Sequence, residues 1–166
     1  MKDLLTIIAG AAVIGVGATL IMDLWALVLR RGFDVASLDL ALLGRWIGHL
    51  ARGQFRHERI AATAPVAHER LIGWTAHYTI GVTFAGVLLT IWGVEWLQAP
   101  TLLPPLIVST LTLAAPFLVM QPAMGAGIAS SRTPRPNLAR LRSVATHTVY
   151  GLGLYLAART WTVLAG

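Results

Sequence analysis

Four long apolar runs, residues 4–29, 71–94, 102–129 and 143–165, constrain this chain more than anything else in it. A helix needs about 20 mainly apolar residues to cross a bilayer. Within lipid, a helix of that kind satisfies its own backbone hydrogen bonds. The first run holds one charge, Asp23, and the second holds none, though His77 can take a proton. The third is uncharged, and the fourth is broken only by Arg159, close enough to its end to snorkel. A soluble domain of 166 residues needs more polar surface than a chain that is 56% apolar and 12% charged, with a mean hydropathy of +0.69. The expectation is an all-α polytopic membrane protein. It is one domain over residues 1–166, a four-helix transmembrane bundle with spans near 4–29, 71–96, 102–124 and 143–165.

Arginine placement orients these spans. Residues 30–70 carry seven arginines and residues 125–142 carry four, whereas the link 97–101 carries no charge. The positive-inside rule puts both arginine-bearing loops in the cytoplasm and both termini outside. Only Lys2 argues the other way. Trp25, Trp46 and Trp74 then fall at the inner interface and Trp92, Trp96 and Trp161 at the outer one, as a double aromatic belt. A cleaved signal peptide fits poorly, because Lys2 stands beside Asp3 and the apolar run exceeds 7–15 residues. The net charge of +6 and pI near 11.1 suit anionic lipid headgroups. No nucleic-acid motif accompanies that charge, so the bilayer is the expected partner. With no cysteine, disulfides and thiolate chemistry are excluded.

The first cytoplasmic loop is too long for a bare linker. Ser37 as N-cap, Asp39 in the first turn and Gly53 at the C′ position bound a helix over about 38–52. Leu43, Trp46, Ile47 and Leu50 line one face of it, and Arg45, His49 and Arg52 line another, the pattern of an amphipathic helix in the membrane interface. Residues 55–64 continue along the surface to Pro65. Arg45, His49, Arg52, Arg70, Arg132 and Arg142 are the expected contacts of anionic headgroups. Small residues recur at packing spacing: Gly73, His77, Gly81 and Ala85; Ser143, His147 and Gly151; Ala12, Thr19 and Asp23, with Gly15 flanking. Pro116 falls in the middle of the third span, where it loses one hydrogen bond and crowds the Thr112 carbonyl. A kink is expected there, with Ser109, Thr110 and Thr112 resatisfying the backbone.

The ionisable residues inside the runs share a depth. Asp23 lies seven residues before Arg30, His77 seven after Arg70 and His147 five after Arg142. At 1.5 Å per residue, all three sit about 8–10 Å inside the cytoplasmic boundary. Gln121 lies near the same level, and Glu69 two turns from His77. Intramembrane ionisable groups are rare and usually mark pathways or sites. They also serve as packing glue, each bonded to a neighbour. Three chemistries suit the layer. Asp23, His77 and His147 form a three-ligand set for a divalent metal with an open position. The two histidines suit haem as axial ligands. The carboxylate and imidazoles also suit proton transfer. No local catalytic motif accompanies them, so no catalytic residue can be named. The loop 121–134 offers glycines, hydroxyls and Arg132, as a phosphate cradle or simply as a span ending and turning through Pro134 and Pro136.

Several segments together resemble a known family. They are Gly17-Ala18-Thr19-Leu20-Ile21-Met22-Asp23, Gly44-Arg45-Trp46-Ile47-Gly48-His49 and His68-Glu69-Arg70-Leu71-Ile72-Gly73-Trp74-Thr75-Ala76-His77-Tyr78. With residues 121–134 and 147–155, they look like short bacterial inner-membrane proteins catalogued as a domain of unknown function. The resemblance covers nearly the whole chain. It implies a bacterial multi-pass membrane protein and carries no activity, cofactor or catalytic residue with it.

The leading functional expectation is a small transporter or ion-pathway subunit built on the Asp/His layer, forming a homo-oligomer because four short helices enclose little room. A membrane-embedded metal or haem protein, or an enzyme acting on a lipid or quinone, is the alternative. A third is an accessory subunit without chemistry of its own.

Overall fold

The structure is a computed structural model and describes residues 2–35 and 37–165, with side chains from 4 to 163. Lys2, the one charge against the expected orientation, therefore lies outside the described side chains. Among the described residues all regular structure is helical. The helices are α1 (Lys2–Phe33), α2 (Leu40–Leu50), α3 (Glu69–Trp92), α4 (Leu103–Leu111) and α5 (Pro136–Ala165). A π-helical stretch, Ala115–Met120, and one short turn, Gln121–Ala123, continue from α4.

Three of the four expected spans are helices long and apolar enough to cross a membrane: Leu4–Phe33, Glu69–Trp92 and Leu103–Ala123. The fourth is a helix where one was expected, inside α5, but it does not reach that standard. His147, Tyr150, Tyr155 and Arg159 dilute its apolar character.

The chain divides into two compact units. The first comprises Met1–Ser37, Tyr78–Thr112 and Ala145–Gly166, and the second Leu38–His77 and Leu113–Val144.

In the first unit, α1, the later part of α3, α4 and the later part of α5 close around one core. Ala11, Ile14, Ala18, Leu88, Leu89, Val108 and Leu154 are buried there. The inward stripe of α1 thus runs through Ala11, Ile14, Gly15 and Ala18, and Ala12 is exposed. Small residues bring the helices close. A Cβ on Gly15 would stand 2.6 Å from the Val82 Cα and 3.0 Å from the Gly81 carbonyl oxygen, so α1 and α3 touch backbone to backbone. Leu4, Leu5, Ile8, Leu20, Ile80, Val87 and Ile91 face outward, an apolar surface suited to lipid. Trp96 departs from the expected outer belt. It is only 7% exposed in this core, and its indole N–H has no partner.

In the second unit, α2 starts two residues later than Ser37 would place it. Asp39 is the N-cap, its carboxylate accepting the Ala41 N–H at 2.9 Å. The helix ends at Leu50, and Gly53 adopts φ +82° just beyond it, as its place at the end of the helical pattern predicts. α2 crosses the first turns of α3 through two glycines. A Cβ on Gly44 would collide with the Glu69 carbonyl, and one on Gly73 with the Leu40 carbonyl.

The third span is widened rather than simply bent. Pro116 has no N–H for the Thr112 carbonyl, and the chain answers with i to i−5 bonding, Gln121 N–H to Pro116 O. The hydroxyls of Ser109 and Thr112 donate to the Leu106 and Ser109 carbonyls at 3.1 and 2.9 Å, so two of the three expected hydroxyls serve the backbone.

Candidate functional site

Asp23 is the charged group inside the first apolar run, and the first unit brings a hydroxyl to it. The Tyr78 hydroxyl, from α3, donates to Asp23 Oδ2 at 3.0 Å. Both side chains are half-buried. A phenol can serve either form of such a group, donating to the carboxylate or accepting from the acid. One helical turn along α3, the buried Tyr150 hydroxyl of α5 donates to the Gly81 carbonyl at 2.6 Å. Thr19 donates back to Gly15 at 2.8 Å. Three helices, α1, α3 and α5, thus carry a ladder of hydroxyl contacts beside the carboxylate. His147 is half-buried on α5 in this unit. His77 belongs to the second unit, where its ring meets Trp74 edge-on with centroids 6.1 Å apart.

The other members of the expected layer make bonds of their own in the second unit. Gln121 bridges two serines, accepting from Ser130 Oγ at 3.0 Å and donating to Ser143 Oγ at 3.4 Å. Glu69 turns away from the layer to α2. Its carboxylate takes both arms of Arg45, Nε to Oε2 and Nη2 to Oε1, each at 2.8 Å. Its Oε2 also accepts the Val66 N–H at 3.2 Å. Arg45 Nη1 donates further to the carbonyls of Thr63 and Ala61 at 3.0 and 3.3 Å. The hydrogen bonds it donates to Glu69 hold the Arg45 guanidinium above its ordinary range, against the opposing effect of desolvation.

The expected headgroup face of α2 is corrected accordingly. Arg45 points into the unit, its side chain 12% exposed beside a Glu69 side chain 19% exposed. His49 is buried and holds Gln54 and the Ala64 carbonyl, each at 2.9 Å. The physical reason is the Gly44–Gly73 crossing, which brings α2 against α3 so closely that the flanking side chains must pair inside the unit. Arg52, Arg70, Arg132 and Arg142 are exposed, as the sequence pattern predicts. Arg45→Ala and Glu69→Ala should each lower the melting temperature more than Arg70→Ala, because each strands a charge and the carbonyls or N–H it served. A double-mutant thermal cycle measures the coupling.

Residues 55–64, expected to run along the surface, form a strap. His57 N–H donates to the Ala123 carbonyl at 2.8 Å and Ile60 N–H to the Met124 carbonyl at 3.1 Å. Trp46 Nε1 closes its near end on the Phe55 carbonyl at 2.9 Å. The 121–134 loop is a closed turn rather than a phosphate cradle. The N–H groups of Gly125, Ala126, Ser130, Ser131, Arg132 and Thr133 all donate within residues 121–130. Ala129 and Ser130 hold φ of +46° and +59°, with the Ala129 carbonyl accepting from Arg140 Nε at 2.9 Å.

Among the described residues no group of three or more His, Cys, Asp or Glu side chains is placed to hold a metal ion. Comparison with known families matches residues 12–161 to one described as "Protein of unknown function (DUF2938)". No curated protein and no solved structure matches the chain.

Proposed function

The chain belongs to this family of unknown function, and from that premise we propose that it is a small multi-pass protein of the bacterial inner membrane forming an ion pathway or transporter subunit. In this reading Asp23 carries a proton or small cation. The single observation behind it is the Tyr78 hydroxyl on the Asp23 carboxylate, between helices apolar enough to lie in lipid. A carboxylate there costs about 2.5 kcal/mol or more, a cost that function most readily accounts for. The hydroxyl stabilises the ionised state and remains bonded when Asp23 takes a proton, so the group can load and unload without a large rearrangement.

The finer topology is part of the proposal. Residues 143–165 make the fourth span, both termini face outward, and Arg52, Arg70, Arg132 and Arg142 meet anionic headgroups on the cytoplasmic side. By their spacing from Arg70 and Arg142 in the sequence, His77 and His147 are the further groups assigned to the pathway. A second copy of the chain supplies the wall that four short helices leave incomplete.

The test uses purified protein in liposomes with an internal pH dye and an imposed membrane potential. Wild type is expected to pass protons, Asp23→Asn to abolish the signal and Tyr78→Phe to reduce it severalfold, with unchanged elution profiles. Equal flux from wild type and Asp23→Asn would overturn the reading.

A further inference from the structure

The strap of the second unit borders a hollow that the proposed pathway does not use, and we propose that it binds a phosphate monoester through Arg59 and His57. The hollow is open, has a volume of about 510 Å³ and is lined by His57, Glu58, Arg59, Ala62 and Thr63. Small-ligand sites usually occupy about 300–1,000 Å³. A phosphoryl group therefore fits together with part of the molecule that carries it.

The wall is held from behind. The His57 and Ile60 N–H groups donate to the Ala123 and Met124 carbonyls at 2.8 and 3.1 Å. Arg45 Nη1 donates to the Ala61 and Thr63 carbonyls at 3.3 and 3.0 Å. A Cβ on Gly125 would collide with the Glu58 carbonyl, so the strap also lies tight against the 121–134 turn. Backbone fixed at this many points lowers the ordering cost of binding.

Two groups on this wall are left for a ligand. Among the described residues neither Arg59 nor its neighbour Glu58 has an ion-pair partner, and the Arg59 guanidinium makes no hydrogen bond. His57 Nε2 is buried and has no partner. Thr63 Oγ1 stands 3.4 Å from His57 Nδ1 and 3.3 Å from the Arg59 carbonyl, and neither contact is short enough to commit its proton. With that hydroxyl donating to Nδ1, the ring hydrogen sits on Nε2, where the protein offers no acceptor. A buried donor of this kind is seldom left over in a finished fold. A phosphate oxygen completes it, directly or through one water.

These donors select the anion. A guanidinium fork engages two oxygens of a carboxylate or phosphate at once. The imidazole then needs a third unsubstituted oxygen, which a carboxylate and a phosphodiester lack and a monoester has. Exposed Arg52, Arg56 and Arg59 against Glu58 give the strap and its approach a positive field that draws a dianion in. Two sources share this chemistry, a phosphatidate headgroup and a soluble phosphate monoester.

The experiment has one arm for each source. Glycerol 3-phosphate is titrated calorimetrically into the full chain in an uncharged detergent. Dioleoyl phosphatidate is added to the same preparation for native mass spectrometry, with dioleoyl phosphatidylglycerol as the diester comparison. One monoester per chain is expected in at least one arm, and the tighter arm names the source. Arg59→Gln should weaken binding about tenfold or more, as loss of a hydrogen bond to a charged group does. His57→Phe should weaken it severalfold, and Glu58→Gln should tighten it by removing the opposing charge. Arg135→Gln removes the same charge from an exposed residue outside the hollow and should leave binding unchanged. No saturable binding in either arm, equal binding by Arg59→Gln or His57→Phe, or a diester held as tightly as the monoester overturns the site. Weaker binding by Glu58→Gln, or a loss on Arg135→Gln equal to that on Arg59→Gln, does the same. The result is independent of proton flux through Asp23, so either reading can fail alone.

Discussion

Gly73→Ala is expected to unfold the second unit's helix crossing, and Gly44→Ala to do the same from the other side. Adding a methyl to an exposed helical glycine ordinarily helps, by about 1 kcal/mol. Here the added carbon at 73 meets the Leu40 carbonyl and at 44 the Glu69 carbonyl. Both obstacles are backbone, which cannot rotate away, so the cost reaches about 3 kcal/mol or more, as overpacking does at its worst. Arg45 and Glu69 would separate as the helices part, compounding the loss. Thermal unfolding in detergent should show a drop large enough to remove the cooperative transition. Gly86→Ala is the control: its nearest neighbour would be the Ala11 Cβ at 3.8 Å, an ordinary contact. A Gly73→Ala protein that melts with wild type would mean the crossing is looser than described.

Gly15→Val should have a comparable effect in the first unit. Its Cβ would stand 2.6 Å from the Val82 Cα and 3.0 Å from the Val82 nitrogen, and the two further methyls have no room beside them. The displacement would also disturb the Thr19 bond to the Gly15 carbonyl, next to the carboxylate of Asp23. An overpacking cost of about 3 kcal/mol is expected, less any gain in helix propensity. Hydrogen exchange in peptides covering residues 10–20 and 78–90 is the appropriate readout, since both should lose protection together. Protection equal to wild type in both segments would refute the backbone contact.

These tests fall where the sequence was readable in part. Apolar length alone identifies the helices of the first three runs, because a lipid-facing helix must be apolar along its whole exposed side. The ends come from chemistry a single residue can express, as at Gly53 with its positive φ. Pro116 announces a disturbed helix, but whether the chain kinks or widens depends on which carbonyls find donors, and that is settled by neighbours. Arg45 and His49 show the failure most clearly. A basic face on an amphipathic helix has the same spacing whether it meets headgroups or a carboxylate from another segment. Only the paired glycines, one beside Arg45 and one four residues after Glu69, hinted at the close approach that decides between them. The strap from 55 to 64 was illegible because its partners are carbonyls some sixty residues away, and backbone acceptors leave no trace in side-chain identity. Asp23 is the opposite case: its cost in an apolar run is written in the sequence, and only the identity of its donor needed coordinates.

The wide turn at Ala115–Met120 has a consequence for how this segment tolerates change. A regular helix advances about 100° per residue, so one additional residue in a turn resets the azimuth of everything after it relative to the turn before. Gln121 reaches Ser130 and Ser143 because of that reset. Deleting one residue between 115 and 120 would therefore act as a rotation rather than a shortening, swinging the amide off both serines while leaving the composition of the segment nearly intact. Length polymorphism here is a change of phase.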